Sequence, residues 1–153
     1  MHLDNCGVDD AECANILQGL LQTNDFRTFY YKSNEFGTNS LAVMGKIFVK
    51  PKTSALLSLR LVNCRTANAL LTELLQRIDE DAVYLRSLGL VQMGVRDFQL
   101  DIILRIMQRS DALEDLDLSW NGLIAKDLKH FFKTVAESCQ LININLAWNQ
   151  MLD

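Results

Sequence analysis

The side chains best suited to chemistry are few in this sequence, and they are scattered. Cys6, Cys13, Cys64 and Cys139 form no CxxC pair, and the only imidazoles are His2 and His130. A structural zinc site draws four N or S ligands, its cysteines set about two to four residues apart, so this spacing excludes one. Asp115 and Asp117 share one side of a strand and could hold a cation between them. Two carboxylates without a third oxygen ligand make a poor site for a hard ion. There is no GxxxxGK[ST] loop, no GxSxG elbow, no HExxH pair and no kinase signature. His130 directly precedes an apolar helix position, Phe131, and reads as a solvent-side histidine. The chemistry therefore points to a non-catalytic protein with no cofactor and no metal.

Composition bounds the remaining classes. With 153 residues, 49% hydrophobic and 22% charged, the chain is in the ordinary globular range and long enough to bury a core. A net charge of −4 argues against nucleic acid, which selects basic surfaces that release counterions. No run approaches about 18 apolar residues, so membrane insertion is not expected. The N-terminal MHLDNCGVDDAEC is acidic early and has no apolar h-region, so no secretory signal is visible. Reduced thiols in a cytoplasmic, reducing compartment follow from that absence.

The elements that must position these side chains repeat. LEDLDLSWNGL, from Leu113, places apolar residues at Leu113, Leu116, Leu118 and Leu123, with Asn121 between them. LININLAWNQM, from Leu141, repeats the pattern through Ile144, Leu146, Asn149 and Met151. Going backwards, LRSLGLVQMGV starts at Leu85, LLSLRLVNCRT at Leu56 and FRTFYYKSNEF at Phe26, the last with aromatics in the leucine slots. Met1, Leu3, Cys6 and Val8 keep the same frame. Between these strands lie i, i+3, i+4, i+7 apolar faces: Leu71, Leu74, Leu75 and Ile78, then Leu100, Ile103, Leu104 and Met107, then Leu128, Phe131, Phe132 and Val135. Earlier versions are Cys13, Ile16, Leu17 and Leu20, and Leu41, Met44, Gly45 and Phe48. Each unit is a short strand, a turn and a helix of about three turns.

This pattern, LxxLxLxx(N/C)xL from Leu3 to Met151, resembles the leucine-rich repeat family, and by its period the ribonuclease-inhibitor-like subclass. The resemblance implies an α/β fold: a curved solenoid with parallel strands on the concave face and helices on the convex face. It makes residues 1–153 one domain of about five and a half repeats, with strands near 1–4, 27–32, 57–62, 86–91, 114–119 and 142–147. It also implies a ladder of side chains bonded to the turn backbones, at Cys6, Asn34, Cys64, Asn121 and Asn149. Met93 occupies the same slot, where a thioether is a weak acceptor. Cys6, Cys13 and Cys64 become structural thiols.

Solenoids of this kind normally end in polar caps. Residues 1–8 read as the latter part of a strand motif, and the sequence stops at Asp153 just after a strand-turn. The expectation is therefore a domain uncapped at both ends: a piece of a longer solenoid, a subunit whose ends partners cover, or a trimmed sequence.

In the family, function lives on the outward positions of the concave strands. The candidate partner-binding residues are Tyr30, Lys32, Arg60, Asp115, Asp117, Trp120, Asn143, Asn145 and Trp148. Trp120 and Trp148 fall in the same slot of consecutive units and should sit side by side. They read either as interface anchors or as covers for the strand-turn junction. Lys32 and Arg60 make one half of the face basic, and Asp115 and Asp117 make the other acidic. That gradient either steers a partner or is incidental surface charge. Gly89 leaves a bare spot where a partner's backbone could approach. Arg105, Arg109, Lys126, Lys129 and Lys133 read as a solvated helix surface.

The functional expectation is a protein–protein interaction scaffold, a subunit of a hetero-complex or part of a longer chain, in a cytoskeletal or ciliary assembly. The alternative is a regulator of an enzyme, such as a Ran-GTPase-activating-protein-like or NOD-like-receptor-like repeat arm.

Overall fold

The computed structural model describes residues 1–137 and 140–150, with Asp127 and Glu137 described by their backbone alone. Cys139 and Met151 lie outside these residues. Within them the fold is α/β, with six parallel strands in sequential order and five α-helices. The strands are β1 (His2–Asp4), β2 (Thr28–Lys32), β3 (Ser58–Val62), β4 (Ser87–Val91), β5 (Asp115–Asp117) and β6 (Asn143–Asn145). The helices are α1 (Asp10–Leu21), α2 (Thr38–Phe48), α3 (Asn68–Asp81), α4 (Asp97–Arg109) and α5 (Ala125–Glu137). Each strand pairs only with its sequence neighbours, and each helix packs on the helix of the next unit.

The two periodicities meet in one core. Alternate strand residues, such as Phe29 and Tyr31, Leu59 and Leu61, and Leu88 and Leu90, point inward and are buried with Leu71, Leu74, Leu100 and Ile103 of the helices. A parallel strand has a side-chain period of two, so the intervening residues stand on the opposite, open face of the sheet. The aromatic second unit packs as rings, Phe29 and Tyr31 stacking with centroids 5.3 Å apart.

Helix starts are fixed partly within a unit and partly between units. Asp9 and Glu12 form a reciprocal cap on α1, Asp9 Oδ1 accepting from Glu12 N and Glu12 Oε2 from Asp9 N. Asp10 instead reaches the next helix, accepting from the backbone N–H groups of Gly37, Asn39 and Ser40 and from Ser40 Oγ at 2.6–3.0 Å. A Cβ on Gly37 would lie 2.5 Å from Asp10 Cγ, so glycine is what admits the carboxylate.

Two local expectations need correction. Strands β5 and β6 end at Asp117 and Asn145 instead of running to 119 and 147. In both, the last strand residue folds its side chain back: Asp117 Oδ1 accepts from Ser119 N and Asn145 Oδ1 from Ala147 N, each at 3.0 Å. Such a bond from an Asp or Asn two residues earlier turns the backbone out of the ladder. Phe132, expected in the core face of α5, is 50% exposed. Among the described residues α5 packs on α4 alone, so the side of the helix away from α4 has nothing to cover it.

Candidate partner-binding face

The register lines the open-face residues up in columns. One column runs Thr28, Ser58, Ser87, Asp115, Asn143; the next runs His2, Tyr30, Arg60, Gly89, Asp117, Asn145. His2 packs edge-on against Tyr30, with ring centroids 4.0 Å apart. All nine candidate side chains except Trp120 and Trp148 belong to the strands themselves; the tryptophans sit in the turns that follow β5 and β6.

The charges do not form an open gradient. Lys32 pairs with Asp4 of the preceding unit at 3.1 Å. Arg60 reaches across β4 to Asp117 of β5, with Nη2 2.6 Å from Oδ2. The spot left bare by Gly89 is what this arginine occupies, since a Cβ there would lie 2.7 Å from Arg60 Cγ. It is therefore not a gap for a partner's backbone. Asp117 also accepts from Asn145 Nδ2 and from Ser119 N and Oγ. Burial pushes its carboxyl up, but the Ser119 hydrogen bonds and the Arg60 guanidinium outweigh that and hold it below the usual carboxylate value. With Asp117 so engaged, the cation shared with Asp115 has no basis. Among the described residues no group of three His, Cys, Asp or Glu side chains could hold a metal. Asp115 accepts from Asn143 Nδ2 at 2.5 Å and has no ion pair among the described residues. It lines a shallow depression of about 520 Å³ with Arg60, Ser87, Asn143 and Asn145.

Trp120 and Trp148 do lie side by side. Their rings stack with centroids 4.6 Å apart and planes 18° from parallel, and the residues are 50% and 71% exposed. Both have φ of 62°, in the left-handed region. The same turn slot is left-handed in every unit, occupied by Asn5, Ser33, Asn63 and Gln92 before the two tryptophans. Asparagine tolerates this conformation, whereas a bulky side chain is costly there. The cost is met in neither case by burying the indole. The slot is legible in the sequence, its backbone conformation is not. Ile142, next to Asn143, is also exposed, at 73%, and a single isoleucine directly after Leu141 gives no sequence signal that sets it apart.

The amide ladder is built as hydrogen bonds between units. Asn34 Oδ1 accepts from Cys6 N and Val8 N, and its Nδ2 donates to Lys32 O. Asn121 Oδ1 accepts from Met93 N and Val95 N while its Nδ2 donates to Leu90 O and Leu118 O. Asn149 repeats this toward Asn121 N and Leu123 N. The middle is made of sulfur: Cys64 Sγ donates to Tyr31 O at 3.2 Å, and Cys64 N donates to Met93 Sδ at 3.4 Å. Cys6 is exposed and donates to Asp4 O of its own unit. Burial pushes the Cys64 thiol up to about 11 and raises that of Cys13, which keeps both protonated.

On the helix side, His130, Lys126, Lys129 and Lys133 are exposed. Arg105 and Arg109 are not simply solvated: both pair with Asp79 of α3, whose side chain is 8% exposed, at 3.5 and 3.1 Å. No described helix is long and apolar enough to cross a membrane.

Compared with known proteins, the chain matches no family model, and no curated protein matches it.

Proposed function

We propose that this chain is a leucine-rich-repeat solenoid of the ribonuclease-inhibitor-like kind, that it catalyses nothing, and that its open strand face binds another protein as part of a larger assembly in a reducing compartment. In-phase strands, a left-handed residue in the same turn of each unit and asparagine side chains bonded between units all support the repeat reading. The observation that carries the binding reading is the tryptophan pair. Two indoles are held stacked and exposed in a backbone conformation that disfavours large side chains. A junction cover would be buried; an anchor is exposed until a partner buries it, and local strain of this kind is retained where function requires it.

The test is affinity capture of a partner by the whole chain, followed by reconstitution of the purified pair. The double variant Trp120→Asn/Trp148→Asn should lose the partner, while Lys129→Ala/Lys133→Ala on the helix side should keep it. Binding that survives the tryptophan variant and fails with the lysine variant would move the interface to the helices.

A further inference from the structure

Resting on the reading that the open face is the interface, we infer that its β5–β6 end takes an arginine-bearing segment of the partner. Three features of this end call for the same chemistry. First, its charge is one-sided. The strand residues facing outward in the last two units are Asp115, Asp117, Asn143 and Asn145, and among the described residues Arg60 of β3 and Arg86 just before β4 are already paired, with Asp117 and Glu114. Among the described residues the Asp115 carboxylate has only the Asn143 amide as a side-chain partner, and it lines the open depression. Second, its amide donors already serve its own carboxylates: Asn143 Nδ2 donates to Asp115 and Asn145 Nδ2 to Asp117, while Asn145 Oδ1 accepts from Ala147 N. Third, the turn beside it ends in a stacked pair of indoles with exposed faces.

An ammonium would satisfy the carboxylate but has no plane with which to stack. A phenyl ring would stack but would leave Asp115 unpaired. A guanidinium is planar, permanently charged and rich in donors; it pairs with carboxylates through two N–H groups and lies flat on indole faces. Asp115 stands in β5 and Trp120 in the turn that follows it, so the occupant is a segment that can present one guanidinium to each.

The chain contains two tryptophans, so the indole N–H signals in a nitrogen–proton correlation spectrum report this site directly. The probes are blocked pentapeptides of arginine, lysine and phenylalanine, titrated into the intact protein. The arginine peptide should shift both indole signals saturably and bind about tenfold tighter than the lysine peptide. Asp115→Asn should weaken it severalfold, Trp148→Asn should remove most of the Arg-over-Lys preference, and Asp97→Asn, a carboxylate on the helix side, should change nothing. Equal affinity for arginine and lysine, tighter binding of phenylalanine, or indole signals that do not move would each overturn the inference. Its failure is separable from that of the interface reading. Partner capture that depends on the tryptophans without an arginine preference leaves the interface standing and removes only its chemistry. An arginine preference with tryptophan-independent capture does the reverse.

Discussion

Arg60 and Asp117 meet at 2.6 Å across an intervening strand because the residue between them, Gly89, has no side chain. The guanidinium lies over the glycine, and the open face is thereby closed at its middle by one ion pair spanning three strands. Alanine at position 89 would place its Cβ 2.7 Å from Arg60 Cγ, inside any normal contact, so the arginine must lift away. Alanine also gains about 0.5–1 kcal/mol over glycine in a strand. Gly89→Ala should therefore be neutral or mildly destabilising alone, by up to about 1 kcal/mol, but clearly stabilising in an Arg60→Ala background. A thermodynamic cycle of the two substitutions should return a coupling of about 1 kcal/mol or more. Additive effects would mean that Arg60 does not lie over Gly89 in solution.

The ladder makes a second prediction, because its rungs are unequal. Asn121 is 6% exposed and satisfies the N–H groups of Met93 and Val95. Asn121→Ala leaves both donors buried without a partner, at a cost of about 2–4 kcal/mol in urea-denaturation experiments. Met93 offers Cys64 N only a thioether at 3.4 Å. Met93→Asn supplies an amide in the slot that Asn34 and Asn121 fill elsewhere and should leave stability unchanged or raise it by about 1 kcal/mol, despite removing an apolar side chain from a 7% exposed site. A large loss with Met93→Asn would show that this unit does not share the turn geometry of its neighbours.

Much of this architecture is legible in the sequence, because its signals are periodic. The leucine slots at Leu59, Leu88 and Leu116 place the strands, the i, i+3, i+4, i+7 faces place the helices, and their common phase sets the parallel register. What is not legible depends on single side chains that reach between units. The composition of the sequence suggests a free arginine and a bare glycine; only the register shows that the first covers the second. Asp10 lies in the first turn of its own helix, yet its carboxylate serves the N-terminus of the next one because Gly37 lets it approach. The short ends of β5 and β6 follow from Asp117 and Asn145 bonding two residues onward, a pattern written in the sequence as DLS and NLA but too common to read as a stop. Phe132 fits the helical face perfectly and is exposed because periodicity says which face is apolar, not whether something covers it.

Acid should act on the fold through Asp10 and Asp117. Burial raises both carboxyls, but hydrogen bonds outweigh it: from Ser40, Asn39 and Gly37 on Asp10, and from Ser119 and Arg60 on Asp117. Both folded-state values lie below the ordinary aspartate value of 3.8, so the unfolded chain takes up protons first as pH falls. Their contribution is complete above that value and is lost progressively as pH falls through the lower folded-state values. The midpoint of urea unfolding should thus be flat near neutrality and fall below about pH 4. Asp10→Asn should lower the neutral midpoint and flatten the acid limb, because an amide cannot titrate. An acid limb unchanged in both Asp10→Asn and Asp117→Asn would assign the transition to other carboxylates.

The tryptophan slot gives the sharpest separation of structure from binding. Trp120 and Trp148 hold φ of 62° in a position that Asn5 and Asn63 occupy in earlier units at 49° and 48°. Replacing both by asparagine removes a stacked pair worth about 0.5–1.5 kcal/mol. It also relieves two bulky residues of a conformation that costs about 1–2 kcal/mol each, part of which asparagine recovers. The two effects oppose each other, so folding stability should change by less than about 1 kcal/mol in either direction. Alanine is the poorer probe, since it loses the stack and gains no tolerance of positive φ. Indoles that covered a core junction would instead cost about 3 kcal/mol or more to remove. Stability retained together with partner binding lost is therefore the result expected of anchors, and a double asparagine variant that unfolds would return both tryptophans to the core of the repeat.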